Sequence, residues 1–284
     1  MIQAYPLEFH LGPLPITGFG LTMMLAFLIG AWIVDRELRR NGFAPDFAGD
    51  IVFGAVIGGI VGAKLWYVAL HGPEALFARE GLVFYGGFIG GALGVIIAGW
   101  RRAVPIRWTM HLVAPALAAA YAMGRVGCFV VGDDYGRPTD LPWAVAFPEG
   151  APPSTAGIMA RAFGTPMPPG TAPETLLSVH PTQLYEVGII LVVFAVLWKW
   201  RLKARGTGWL FGAYLIFAGL ERFTVEFFRA KDDRFLAGMT VAQATSVTIV
   251  LVGIVIWQRL APLAPAEPGQ WLRQGAGSQG KTGR

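Results

Sequence analysis

The sequence predicts an all-α, polytopic membrane protein with about seven transmembrane helices. Hydrophobic residues make up 54% of the 284 residues, charged residues make up 14%, and the mean hydropathy is +0.52. Soluble domains carry roughly 25% charged residues, so the composition excludes an ordinary soluble domain. Lys64, Arg125 and Arg222 each interrupt a membrane-length apolar stretch. A cation at the bilayer centre costs roughly 2.5–3.5 kcal/mol on insertion scales, which indicates that these three residues have a function.

Seven apolar stretches have about the 20 residues that a helix needs to cross the hydrocarbon core. They are Ile16–Val34, Ile51–Leu70, Leu82–Trp100, Trp108–Val131, Gln183–Trp200, Trp209–Phe228 and Val241–Trp257. We expect residues 1–259 to form one helical bundle. An odd number of spans places the two termini on opposite sides of the membrane.

The distribution of Lys and Arg predicts the orientation of the bundle. One side carries 14 of these residues in its connections and the C-terminal segment, and the other side carries 6. The positive-inside rule then places the N-terminus outside and the C-terminus in the cytoplasm. No cation precedes Arg36, so the first apolar stretch lacks the basic region of a cleavable signal peptide and is expected to persist. The net charge of +5 reflects the cytoplasmic flanks and needs no nucleic-acid partner.

Two regions outside the apolar stretches have distinct compositions. The connection at about residues 132–181 is long and rich in Pro and Gly, and such connections are usually lids or binding loops. We expect it to form a small external subdomain. Residues 260–284 combine prolines with a Gly, Ser and Gln-rich end, which predicts a disordered cytoplasmic tail.

Successive membrane helices alternate in direction, so the polar residues of the predicted spans lie together at the outer end of the bundle. These residues are Lys64, Tyr85, Arg125, His180, Tyr185, Glu186, Glu221, Arg222 and Glu226. The convergence predicts one pocket that holds an anion in the outer leaflet. Charges in a channel are more naturally spread through the pore, and those of many secondary transporters lie near the midplane.

Glycines recur at every fourth position on the second and third predicted helices. They are Gly54, Gly58 and Gly62 on the second helix and Gly86, Gly90 and Gly94 on the third. Faces of small residues let two helix backbones approach closely in lipid, so we interpret these glycines as packing positions. Gly86 and Gly87, directly after Tyr85, are also expected to leave room for a lipid headgroup.

The segment GRVGCFVVGDDYGRPT, residues 124–139, leaves the fourth helix through small residues and an acidic turn. A guanidinium is always charged and can grip a phosphate through two parallel hydrogen bonds, so Arg125 suits an anionic phospholipid headgroup. The alternative is an arginine that reaches the interface or pairs with Asp133 or Asp134. Two adjacent carboxylates between glycines are typical of a turn, and we predict no metal here.

Two further segments carry polar residues into the bundle. HPTQLYE, residues 180–186, begins the fifth helix, where His180 is either a hydrogen-bonding element or a base, with Tyr185 behind it. ERFTVEFFR, residues 221–229, spaces Arg222, Glu226 and Arg229 so that they share one helix face. At membrane depth, Arg222 and Glu226 must satisfy each other or a ligand.

At these three segments the chain resembles the phosphatidylglycerol:prolipoprotein diacylglyceryl transferases of the bacterial inner membrane. The resemblance covers nearly the whole chain, and it implies a multi-pass enzyme that uses membrane phosphatidylglycerol and a prolipoprotein signal peptide with a lipobox cysteine. The enzymes move the diacylglyceryl group onto the cysteine thiol, form a thioether and release glycerol phosphate. By this resemblance Arg125, Gly136, Arg222 and Glu226 match functional positions, and Asp133 stands where the family usually has Glu.

The chain also departs from the family pattern. Tyr85 replaces a histidine before Gly-Gly, Cys128 replaces an asparagine, Phe19 replaces a tyrosine and Lys64 replaces an arginine. Because Lys64 keeps the positive charge and the other cations remain, we interpret the chain as a divergent active member of the family.

The expected reaction needs no cofactor. Arg125 and Arg222 are expected to hold the phosphate as it leaves, and Glu226, Tyr85 or His180 to handle the thiol proton. Substrate contacts are expected from a wider set, namely Asp133, Gly136, Lys64, Arg229, Tyr185, Gly86 and Gly87. Two other functions fit the same pocket: a transporter or flippase of anionic phospholipids, and a family member that only binds lipoprotein precursors.

Overall fold

The structure, a computed structural model, describes residues 1–12, 14–77, 81, 83–230, 234–236 and 238–269. Its helices are α1 (Gly18–Arg40), α2 (Asp46–His71), α3 (Phe84–Arg101), α4 (Ile106–Val131), α5 (Ala156–Phe163), α6 (Thr182–Trp200), α7 (Trp209–Val225) and α8 (Val241–Leu260). Short strands are β1 (Ile2–Gln3), β2 (Glu8–Leu11), β3 (Leu14–Thr17), β4 (Val145–Ala146), β5 (Arg234–Leu236) and β6 (Met239–Thr240). Two 3-10 turns, Pro73–Phe77 and Glu226–Phe228, complete the elements.

Over the described ranges, five helices are long and apolar enough to cross a membrane, namely α1, α2, α4, α6 and α8. They confirm the predicted helical membrane class. α3 and α7 have 18 and 17 residues, which is short of the ~20 residues that span a ~30 Å hydrocarbon core. The arrangement of seven spans and the orientation of the termini therefore stay predictions. Leu82, the first residue of the third predicted span, lies outside the described residues.

The chain divides into two compact units. The first unit contains Met1–Phe27, Leu117–Lys203 and Phe211–Gln258. The second unit contains Leu28–Ala116, Ala204–Leu210 and the described residues from Arg259 onward.

In the second unit, α2 and α3 meet through their glycines. A Cβ atom added at Gly58 would overlap the carbonyl oxygen of Gly90, and one added at Gly94 would overlap that of Gly54. Backbones this close require residues without side chains, which confirms the packing interpretation. Gly86 belongs to the same contact, because a Cβ there would overlap the Gly62 carbonyl oxygen. Its missing side chain is thus accounted for by helix packing.

The first unit contains a small core in the connection between α4 and α6. Tyr135, Phe147, Met159 and Val179 are buried together, and the Tyr135 ring stacks on Phe147 with centroids 5.4 Å apart. β1 pairs in parallel with β4, so the N-terminal residues join this connection. The short strands were not predicted, because runs of two to four residues show no alternating pattern that the sequence could reveal.

Residues just after α8 are held by hydrogen bonds within the second unit. Arg107 donates to the carbonyl oxygen of Ala264 and Trp108 donates to that of Ala266, both at 3.0 Å. The Ala266 amide donates to Thr207 Oγ1 at 2.9 Å. The sequence predicts disorder from residue 260, whereas these contacts fix the segment as far as Ala266. Residues 270–284 of the predicted tail lie outside the described residues.

Replacing Gly58 by alanine tests the helix contact. The new Cβ would overlap the Gly90 carbonyl, so α2 and α3 must separate, and overpacking of this kind costs about 1–3 kcal/mol. We expect Gly58→Ala to lower the free energy of unfolding by this amount in detergent. Gly49→Ala is the control, since its Cβ would meet no atom within 4 Å, and it should be at least as stable as the wild type because alanine is favoured over glycine in a helix by about 0.5–1 kcal/mol. Equal stability of the two variants would contradict the contact.

Candidate active site

Arg125 lies near the end of α4 between two carboxylates. Its Nε atom is 2.9 Å from Glu186 Oε2, at the start of α6, and its Nη1 atom is 2.9 Å from Asp134 Oδ2. The guanidinium also lies 5.3 Å from the centroid of the Tyr121 ring, one helical turn earlier. Glu186 is fully buried. A buried carboxylate requires a partner of opposite charge, so Arg125 and Glu186 fix α4 against α6.

Arg222 and Glu226 form an ion pair at the end of α7, with Nη1 and Oε2 2.7 Å apart. The stretch predicted to end at about Phe228 is helical over its length, but α7 ends at Val225 and tightens into a 3-10 turn over Glu226–Phe228. Arg229 then adopts an extended backbone. Its side chain is therefore directed by the chain that follows the helix and not by a shared helix face.

Arg229 closes the network. Its Nη2 atom is 2.7 Å from Asp134 Oδ1, and its Nη1 atom donates to the Asp134 carbonyl oxygen at 3.0 Å. Its Nε atom lies 4.0 Å from Glu226 Oε2. Asp134 thus bridges Arg125 and Arg229, while Glu226 links Arg222 to Arg229. The three arginines belong to one connected set of ion pairs.

The acidic turn is anchored by the start of α6. Thr182 Oγ1 donates to the Asp134 carbonyl oxygen at 2.8 Å, and Gln183 Nε2 donates to the Asp133 carbonyl oxygen at 2.5 Å. Asp134 takes a left-handed backbone with φ +59°, which Asp and Asn tolerate better than most residues. Burial acts to raise the pKa of Asp134, but Arg229 and Arg125 outweigh it and hold this pKa well below its ordinary value. Burial raises the pKa of Asp133.

The Cys128 sulfur and a carboxylate oxygen from each of Asp133 and Asp134 lie within 4.8 Å of one another. Soft thiolate and hard carboxylate ligands favour different metals. The Asp134 oxygens are also engaged by two arginines. We therefore assign no metal to this cluster.

Gly136 lies where three stretches of backbone meet. Its amide donates to the His180 carbonyl oxygen at 2.8 Å, and it forms an antiparallel bridge with Arg229. A Cβ at this position would overlap the Phe228 carbonyl oxygen and lie 2.8 Å from the His180 and Thr182 side chains. Only glycine leaves the space for this crossing, which brings the entry of α6 beside Arg229.

His180 and Tyr185 form a hydrogen-bonded pair beside this crossing. Trp143 Nε1 donates to the Tyr185 hydroxyl at 2.8 Å, and that hydroxyl lies 3.1 Å from His180 Nδ1. The indole donates, so the hydroxyl oxygen accepts from Trp143 and shares a second hydrogen bond with His180 Nδ1. Burial and Arg137 lower the pKa of His180, which favours its neutral form.

Three residues of the site have roles that sequence reasoning missed. Glu186 and Glu221 were placed in the pocket without a partner, yet Glu186 holds Arg125, and Glu221 accepts a 3.4 Å hydrogen bond from Tyr121. The sequence signals for the two glutamates were their places in segments 180–186 and 221–229 and their predicted depth in the membrane. Trp143 lies in the Pro-rich connection, where nothing in the sequence marks it.

The remaining predicted site residues lie on α2 and α3 in the second unit. Lys64 Nζ is 5.4 Å from the centroid of the Tyr67 ring, and Tyr85 is largely exposed at the start of α3. A Cβ atom added at Gly87 would lie 3.4 Å from the Ala63 side chain. Their participation in the site stays a prediction.

A cavity of about 190 Å³ opens beside the network in the first unit. Arg137, Glu226, Arg229 and Gln243 give it a polar lining, and Phe163 is among its apolar residues. The Arg137 side chain also donates to the Phe227 carbonyl oxygen, which keeps it at the wall. The cavity provides space next to the arginines for a small polar group.

The fold and the site define a helical membrane protein with a partly buried cluster of arginines and carboxylates beside a polar cavity. The family profile of prolipoprotein diacylglyceryl transferases matches residues 6–259. The chain belongs to this family, as the resemblance of its motifs predicted.

Individual relatives agree with the family assignment. A phosphatidylglycerol–prolipoprotein diacylglyceryl transferase of Paraburkholderia phymatum is 34% identical over 276 residues, which cover 88% of this chain and 91% of the relative. A relative of the same name from Bordetella avium is 32% identical over 94% of this chain and 98% of its own length. One from Clostridium tetani is 30% identical over 89% of this chain and 96% of its own length.

Replacing Glu186 by glutamine tests whether its charge holds α4 against α6. Removing one partner of a buried ion pair costs up to about 3–5 kcal/mol, and here Arg125 would keep only the partly exposed Asp134 as a counter-ion. We expect Glu186→Gln to lower the free energy of unfolding in detergent by about this amount. Glu174→Gln, in the exposed part of the connection, is the matched control and should unfold like the wild type. If the two variants are equally stable, the pair does not hold the helices.

Proposed function

We propose that the protein transfers the diacylglyceryl group of phosphatidylglycerol to the lipobox cysteine of a prolipoprotein. The cysteine sulfur attacks a glycerol carbon of the lipid, a thioether bond forms, and the carbon–oxygen bond to the phosphate breaks. Glycerol phosphate leaves with the electron pair, and the thiol loses its proton. Family membership and the names of the relatives support this reaction. The network that joins Arg125, Arg222 and Arg229 is the structural observation that carries it.

We assign Arg125 and Arg222 to the phosphate. Guanidinium groups bind phosphate oxygens through charge-assisted hydrogen bonds, and these strengthen as negative charge develops on the leaving group. A site that excludes water increases this stabilisation. Arg229, which shares Asp134 with Arg125, is assigned to the same phosphate, and the cavity beside it is assigned to the glycerol headgroup.

Glu226 is assigned to orient Arg222 and to accept the thiol proton. Cations close to the thiol also lower its pKa from about 8.5, so a strong base is not required. The hydrogen bond between Tyr185 and His180 Nδ1 favours Glu226 over His180 as the acceptor. His180, Tyr185 and Gly136 are instead assigned to hold the entry of α6 beside Arg229. Tyr85, where the family has a histidine, is kept as a second acceptor.

The finer assignments follow from the same reaction. We propose a bacterial inner-membrane location with seven spans, a periplasmic N-terminus and a cytoplasmic C-terminus. A prolipoprotein signal peptide would then reach the site from the membrane. Lys64, Gly86, Gly87 and Asp133 are kept as proposed substrate contacts.

A reaction with purified components tests the proposal. Protein in detergent is mixed with phosphatidylglycerol and a lipobox peptide, and mass spectrometry detects the peptide with its added diacylglyceryl group. We expect product with the wild type. Arg125→Ala and Arg222→Ala should each lower the rate by at least about a hundredfold, the usual effect of removing one group that stabilises a developing charge.

Arg161→Ala is the matched control, because Arg161 is exposed on α5 and its side chain contacts only the neighbouring turn in the described structure. It should retain wild-type activity. Full activity of both Arg125→Ala and Arg222→Ala would refute the site assignment. Lipid movement across vesicles without any thioether product would favour a transporter, and peptide binding without product would favour a binding protein.

A further inference from the structure

The arginines of the site already have anionic partners. Arg125 contacts Glu186 and Asp134, and Arg229 contacts Asp134 and Glu226. The sequence predicts cations that bind an anionic substrate, whereas in the structure the protein's own carboxylates already pair with them. A phosphate can use the donors that Asp134 now occupies only if that carboxylate gives way.

The three carboxylates differ in their freedom to move. The Glu186 side chain is 0% exposed and that of Glu226 is 3% exposed, whereas that of Asp134 is 40% exposed. Moving either glutamate would uncover a buried charge, which is costly. Asp134 can turn into water without uncovering a buried carboxylate, and the two ion pairs that it loses are replaced by those of the incoming phosphate. Its backbone would stay in place, because Thr182 and Arg229 hold its carbonyl oxygen.

The Asp134 carboxylate also has the arrangement of a bound phosphate. One oxygen accepts from Arg125 at 2.9 Å and the other accepts from Arg229 at 2.7 Å. Two anionic oxygens shared between two guanidinium groups are the contacts that a phosphodiester would make. The position between Arg125 and Arg229 therefore suits either anion, and the two cannot occupy it together.

We propose that Asp134 is an internal counter-ion that occupies the phosphate position between Arg125 and Arg229 and is displaced by the phosphate of the incoming lipid. The identity of that lipid as phosphatidylglycerol rests on the proposed function. With Asp134 in place the two arginines are held at the spacing that an anion needs. Competition from Asp134 weakens phosphate binding. The apparent dissociation constant equals the intrinsic constant divided by the fraction of molecules in which the position is free.

Asp134→Asn tests this competition. Asparagine tolerates the left-handed backbone at this position and carries no charge. If Asp134 fills the position in nine of ten molecules, binding of phosphatidylglycerol in mixed micelles should tighten about tenfold. KM for the lipid should fall by a similar factor while kcat changes less than about twofold. Asp134→Gly, which also suits the backbone, should behave in the same way.

Two controls separate the proposal from other effects. Asp140→Asn removes one negative charge from the same connection at an exposed position, so a long-range effect of charge would appear in both variants. Inorganic phosphate, tested as a competitor, distinguishes the sources of the anion. Tighter phosphate binding as well as tighter lipid binding means that the position accepts any phosphate, and tighter lipid binding alone means that it selects the lipid.

Unchanged or weaker binding of phosphatidylglycerol by Asp134→Asn would overturn the proposal and make Asp134 a structural partner of the arginines. An equal gain in Asp140→Asn would overturn it too. The binding measurement needs no turnover. If Asp134→Asn binds lipid more tightly while the wild type forms no thioether, the proposed function is refuted and this inference is left intact.

Discussion

Neutralisation of arginines inside an apolar helical unit is the constraint on which the site depends. A guanidinium keeps its charge at any accessible pH, so each arginine must be matched by a carboxylate or a ligand. Arg125 is matched from α6 by Glu186 and from the turn after α4 by Asp134. Together with the pair of Asp134 and Arg229, they join the end of α4, the start of α6 and the chain after α7. Because the Asp134 side chain is 40% exposed, it is the carboxylate that we propose a ligand anion replaces.

Backbone contacts determine where the charged side chains of the site lie. Gly136 allows the connection, the entry of α6 and the chain after α7 to meet without an intervening side chain. The 3-10 turn after α7 places Arg229 at this crossing. Steric space therefore accounts for glycine at this family-matched position, and its predicted contact with the substrate stays a prediction. The substitution of Cys128 for the family's asparagine has no explanation in the structure.

The sequence alone determined the membrane class, the approximate helices, the glycine contact of α2 with α3 and the family. Each depends on local composition, on spacing along one helix, or on motifs. The ends of the helices were harder to predict. α2 begins at Asp46, five residues before the predicted apolar stretch, because polar turns continue a helix beyond its lipid-facing part. The 3-10 turn after Val225 was not predicted, and it leads to Arg229, which bridges to Gly136 from far along the chain.

The tertiary structure alone decided which carboxylate faces which arginine. Spacing in the sequence could pair Arg222 with Glu226, since both lie on adjacent turns, but it could not choose Glu186 for Arg125 or join Arg125 to Arg229 through Asp134. Those partners come from different segments, and their meeting depends on helix packing and on the close backbone crossing at Gly136. The sequence thus shows that charge is retained in the membrane protein, and the fold determines how that charge is balanced.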